Sequence, residues 1–100
     1  MKIYRQGDVL LVSATIPRTA KKVQTKGDVI LALGEVTGHA HRIKEGAAIE
    51  RSTETERFVQ VLENTFLLHE EHGSIALAPG GYKIVQQREY TPAGLRNVAD

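Results

Sequence analysis

The chain has 100 residues, 41% of them apolar and 25% charged, with a formal net charge of +1 and no cysteine. That is the size of one domain with one core, and its charge gives no electrostatic basis for binding nucleic acid or an anionic membrane. Without thiols there is no disulfide framework and no thiolate chemistry, so a metal centre has to draw on His, Asp, Glu or backbone oxygen. No apolar run approaches the roughly 20 residues that cross a bilayer. The opening "MKIYRQGDVLLVSA" is too polar for a secretory leader, so the expected location is the cytoplasm.

In chain order, "DVLLVSA" (Asp8 to Ala14) and "DVILALG" (Asp28 to Gly34) are short runs rich in Val, Leu and Ile, each entered through a Gly-Asp turn signal. The segment between them carries Pro17 and the basic residues Lys21, Lys22 and Lys26, and reads as a solvated loop. "RFVQVLEN" (Arg57 to Asn64) and "TFLLHEE" (Thr65 to Glu71) predict two antiparallel strands joined tightly at Asn64-Thr65. "SIALAPGGYKIVQQREY" predicts a short strand, a hairpin turn at Pro79-Gly80-Gly81, and a longer strand from Tyr82 to Tyr90. Thr91 suits an N-cap and Pro92 a first helical position, which predicts a short C-terminal helix over about 92–99, weakened by Gly94. The expectation is a mainly β single domain over 1–100, a small barrel or sandwich, with strands about 2–14, 28–45, 57–71 and 74–90.

All four histidines fall in two close pairs, His39 with His41 and His69 with His72. Alternate strand residues share a face, so a strand through this stretch projects His39, His41, Ile43 and Glu45 from one side. A rigid strand fixes ligand directions before an ion arrives. His69 and His72, three apart, converge only if the chain bends between them, and the Gly73 that follows permits a bend. His69 comes after Phe66, Leu67 and Leu68 and is the better placed of the two for a semi-buried role. Glu70 and Glu71 supply further carboxylates as ligands or as acceptors that orient an imidazole. Tyr82, Arg88 and Tyr90 share one face of the last strand, where Tyr82 and Arg88 are candidates for lining a pocket. His, His, His and Glu without a thiolate suit a divalent transition metal: Zn, Fe, Mn, Ni or Cu.

"HAHRIKE" (His39 to Glu45) resembles the first cupin motif, H-x-H-x3-4-E, whose three residues hold a metal. "GSIALAPGGYKI" (Gly73 to Ile84) is similar to the second, G-x5-P-x-G-x2-H, at Gly73, Pro79 and Gly81, but Ile84 stands where that family has its last histidine. Ser52 stands where the first motif continues to a glycine. The resemblance covers about residues 34–84. It implies a cupin-like barrel with a mononuclear metal on His39, His41 and Glu45, completed by His69 or His72. The chain also looks like a group of small uncharacterised bacterial and phage proteins. "YRQGDVLLV" and "GDVILALGEV" bear a fainter similarity to the GroES-type co-chaperonins.

Three expectations compete. The first is a metal-binding β-barrel of unstated reaction, forming a homodimer through a sheet edge. The second is a non-catalytic bacterial or phage binding or structural module with metal-free histidines, and the third a co-chaperonin-like ring. No serine-histidine-aspartate arrangement, phosphate loop or nucleotide fingerprint is legible, so no reaction is assigned.

Overall fold

The computed structural model describes residues 2–34 and 38–86, together with the backbone of strands at 88–91 and 94–97. In chain order the strands are β1 (Ile3–Gln6), β2 (Val9–Ser13), β3 (Lys21–Lys22), β4 (Val29–Leu33), β5 (Ala40–Ile43), β6 (Ala48–Ser52), β7 (Arg57–Val61), β8 (Thr65–Leu68), β9 (Ile75–Leu77), β10 (Gly80–Gln86), β11 (Arg88–Thr91) and β12 (Gly94–Asn97). A six-stranded sheet has the order β1-β2-β10-β7-β6-β3, a four-stranded sheet the order β4-β5-β8-β9, and β11 pairs with β12 alone. Every pairing is antiparallel. No pairing among the described residues closes these sheets into a barrel.

The two larger sheets meet over one apolar core. The six-stranded sheet contributes Leu11, Val59, Val61, Tyr82 and Ile84, and the four-stranded sheet Val29, Leu31, Ile43, Leu67 and Leu77. Leu11, Leu31, Ile43, Leu67 and Leu77 are fully buried. At about 1.5–3 kcal/mol for each such side chain removed from water, this shared core is what holds two otherwise separate sheets together. A polar link spans the same gap. Arg57 on β7 donates to the carbonyls of Leu31 (2.7 Å) and Ile30 (3.2 Å), where β4 is bulged, and pairs with Glu50 on β6 at 2.9 Å.

Three expectations are corrected. The expected strand over 2–14 is a hairpin, because the register Gln6↔Val9 leaves Gly7-Asp8 as a two-residue loop. The segments Arg57–Asn64 and Thr65–Glu71 do not pair. β7 lies between β10 and β6, whereas β8 lies between β5 and β9 in the other sheet. Leu62 N–H donates to Ala47 O at 2.8 Å, which holds the chain to the first sheet up to the crossing. The Pro79-Gly80-Gly81 stretch is likewise a crossing between sheets, from β9 to β10, rather than a hairpin turn. Proline has no N–H for a ladder, so it ends β9 there.

The short C-terminal helix is not formed. Residues 94–97 are β12, paired with β11 in the register Tyr90↔Leu95 and Thr91↔Gly94, while 92, 93 and 98–100 lie outside the described residues. A helix of eight residues cannot repay its nucleation without packing, and Gly94 costs it about 1 kcal/mol more. Pairing with the neighbouring strand wins.

Gly81 decides how the chain leaves β2. Ala14 N–H donates to Gly81 O at 3.0 Å, and a Cβ built on Gly81 would stand 2.7 Å from Ala14 O and 3.1 Å from Ile16. The nearest obstacle is backbone, which cannot swing aside. Gly81→Ala is therefore expected to lower stability by about 1–3 kcal/mol, read as a lower urea midpoint at unchanged slope.

Candidate metal centre

β5 carries the first histidine pair. His39 precedes the strand and is half-buried, while His41 and Ile43 are fully buried. The strand ends before Glu45. Ala47 N–H donates to Lys44 O at 3.1 Å around Gly46, whose φ of 87° suits the third position of a type II turn. Glu45 rides on that turn, exposed, with its N–H bonded to Asp28 Oδ1 at 3.0 Å. It does not join the histidines.

The second pair follows β8, where the chain bends over 70–72. The bend brings both histidines to the first pair. His69 is the hub: its ring centroid lies 4.4 Å from that of His41, 4.7 Å from His72 and 5.7 Å from His39. His72 also stacks with His41 at 5.9 Å. Ligand atoms of His39, His69 and Glu70 all lie within 4.8 Å of one another. His39 Nδ1 and His72 Nε2 are buried without a hydrogen-bond partner among the described residues.

Glu70 ties the two segments together. Its Oε1 accepts Ala40 N–H at 2.8 Å and its Oε2 meets Arg42 at 2.7 Å. The Ala40 N–H holds the carboxyl below the usual range, helped by its own backbone N–H, Arg42 and His39, against partial desolvation. A lowered carboxyl stabilises the fold above the unfolded carboxylate range, and this contribution fades as pH falls through the folded value. Glu71 is exposed, with Oε1 3.8 Å from His39 Nδ1. Its backbone N–H donates to His69 Nδ1 at 3.0 Å. An ion held through that nitrogen displaces this N–H, a change the bend at 70–72 can absorb.

Beneath the cluster runs a polar chain that the sequence did not disclose. Gln6, 2% exposed, donates its amide to Leu67 O (3.1 Å) and Gly73 O (3.0 Å). With its NH2 committed to two carbonyls, its Oε1 must accept, so His41 Nδ1, 2.9 Å away, carries the proton. His41 Nε2 then faces Asp8 Oδ1 at 3.5 Å, and Asp8 Oδ2 accepts Gln86 Nε2 at 3.0 Å. Asp8 is 1% exposed. A glutamine ending a strand and an aspartate in a Gly-Asp turn read as ordinary surface, and only the hairpin places both under β5 and β8.

The remaining candidates lie elsewhere. Tyr82 is in the core, donating to Ala78 O at 2.7 Å and packed edge-on against Tyr4 at 5.6 Å; burial, then Tyr4, raises its hydroxyl above the usual value. Ile84, at the position of the missing cupin histidine, is a core residue on the inner face of β10. Arg88 belongs to β11, and its side chain is outside the described residues.

A family model described as a domain of unknown function, DUF8820, matches residues 5–87. The chain belongs to this family. No curated protein and no solved structure matches it at a significant level. The matched span holds Gln6, Asp8, all four histidines and Glu70, and stops before the β11–β12 hairpin.

Proposed function

We propose that this protein binds one divalent first-row metal ion at the histidine cluster, on a cupin-like two-sheet sandwich. His39, His69 and Glu70 are the primary ligands, with His72 beside them and His41 as the buried support. The observation that carries the reading is the convergence on His69 of all the chain's imidazoles, from segments some thirty residues apart, next to an ionised carboxylate. Histidine and carboxylate together favour Zn, Fe, Mn, Ni or Cu over Mg or Ca. Relative to the cupin motifs, Glu70 takes the part first expected of Glu45, and the bend at 70–72 supplies the imidazoles that Ile84 cannot.

Untagged protein stripped with chelator and reloaded with Zn, Ni or Mn is expected to retain about one equivalent after gel filtration. His39→Ala should weaken retention while leaving the metal-free melting temperature within a few degrees. Retention well below one equivalent for every ion would discard the proposal. It would leave the reading as a non-catalytic binding module, for which exposed Leu33 and Phe66 on the four-stranded sheet are the available surface.

A further inference from the structure

On the outer face of the six-stranded sheet, away from the histidines, lies a cavity. After β2 the chain folds back across that face. Ala14 N–H is held by Gly81 O, and Ala20 N–H donates to Pro17 O at 3.0 Å to close the loop before β3. Between this loop and strands β6, β7 and β10 is a cavity of about 570 Å³, within the size range of small-molecule sites. Ile16, Pro17 and Leu62 give it apolar walls, and Arg18, Arg51 and Gln60 its polar ones.

The charge in this place is unbalanced. Lys22 on β3 stands directly opposite Arg51 on β6, so two cations share one face of neighbouring strands. Like charges directly opposite are destabilising in a sheet. Two other cations of the same sheet are neutralised, Lys83 by Glu56 at 2.6 Å and Arg57 by Glu50 at 2.9 Å, whereas Arg5 on β1 and Lys21 on β3 are left to solvent. Among the described residues, Arg18, Lys22 and Arg51 have no carboxylate partner. Among the described residues, the side-chain hydrogen bond of Arg51 runs from Nε to Gln60 Oε1 at 3.4 Å, with the Nη end of its fork uncommitted. A half-buried guanidinium with uncommitted donors at a cavity wall matches an oxyanion, because its planar fork accepts two oxygens at once.

We infer that this groove binds a small oxyanion ligand, a carboxylate or a phosphate ester with a short apolar body. The anionic group sits on Arg51 and Arg18, and the body lies against Ile16, Pro17 and Leu62. The site shares no residue with the histidine cluster and does not depend on that cluster holding a metal.

The test uses the full chain in chelator, so that no anion acts through a metal, at constant ionic strength set with chloride. Titration is followed by amide chemical shifts, with inorganic phosphate in one arm and acetate through hexanoate in the other. Saturable shifts confined to residues 14–20, 51, 60–62 and 80–81 are expected in at least one arm. A response to phosphate alone identifies a phosphate ligand; carboxylate affinity that rises with chain length identifies an organic acid. Arg51→Met, which keeps the apolar stem, should weaken binding at least tenfold, with Arg51→Lys intermediate and Arg18→Met also weakened. The inference is overturned if neither arm saturates, or if Arg51→Met and Arg18→Met both bind as the parent does. Should Arg51→Met misfold, Arg51→Lys and Arg18→Met carry the same test, and unchanged affinity in both overturns it.

Discussion

Replacing His69 with alanine is expected to abolish metal retention, lowering affinity by more than about 100-fold, since even groups that only orient a ligand are worth about 10–100-fold. The geometry sets this residue apart. His69 is 7% exposed and its ring lies within 5.7 Å of each of the other three. His69 has ring contacts with all three of the others, so its loss removes the contact point that the cluster shares. An ion present at about 100 times its dissociation constant adds about 2.7 kcal/mol to stability. For a domain of this length that is roughly 10–20 °C in melting temperature. The parent protein should show that increment on adding Zn or Ni, and His69→Ala should show none. In chelator the variant should melt lower too, because truncating a buried ring leaves a cavity and the Glu71 N–H loses its acceptor, so the test is the increment on adding metal rather than the baseline. Equal metal-dependent stabilisation in parent and variant would remove His69 from the centre.

Gln6→Leu is expected to be the most damaging single change to the fold among the polar residues around the cluster. Leucine fills much the same space but satisfies nothing. The carbonyls of Leu67 and Gly73 lose a donor, and His41 Nδ1–H loses its acceptor. Leu67 O and His41 Nδ1–H lie in the dry interior and cost about 1–3 kcal/mol each, about 2–6 kcal/mol together, while the partly exposed Gly73 O can turn to water. Against a total stability of about 5–15 kcal/mol, that brings the chain close to unfolding at ambient temperature. Gln6→Glu should not restore the stability, because its carboxylate still accepts from His41 but sets its second oxygen against the carbonyls of Leu67 and Gly73 at a buried site. Urea unfolding checks this: a fall of under about 1 kcal/mol for Gln6→Leu would mean that the string beneath the cluster carries little of the stability. Either variant should also shift the ring resonances of His41, which a purely peripheral role for Gln6 would leave in place.

Much of the local grammar was legible. Gly7-Asp8 and Gly27-Asp28 do mark entries into strands, and the apolar run after each forms one, β2 and β4. The spacing of His69 and His72 demanded a bend, and the chain bends over 70–72. The parity argument for His39, His41, Ile43 and Glu45 holds only while the strand lasts. His41 and Ile43 lie inside it and are buried; Glu45 lies beyond the Lys44–Ala47 turn, where alternation no longer applies. The carboxylate in the cluster comes instead from Glu70, which reaches Ala40 and Arg42 from thirty residues away.

What composition and pattern determined by themselves was the class of the molecule: a mainly β chain, without thiol chemistry, whose histidines are concentrated in two short segments. These properties follow from residue types and short-range periodicity, which act within a few residues of chain. Which strands share a sheet was decided elsewhere. β7 and β8 are neighbours in sequence yet lie in opposite sheets, because each buries its apolar face best in the common core from its own side. The C-terminal segment carried a helix signal at Thr91-Pro92, but a partner strand was at hand and β12 paired with it. The composition of the cluster was decided in the same way. Gln6, Asp8 and Glu70 acquire their roles only when the β1–β2 hairpin, β5 and the end of β8 are brought together, and desolvation at that meeting point turns ordinary polar residues into a linked, buried set.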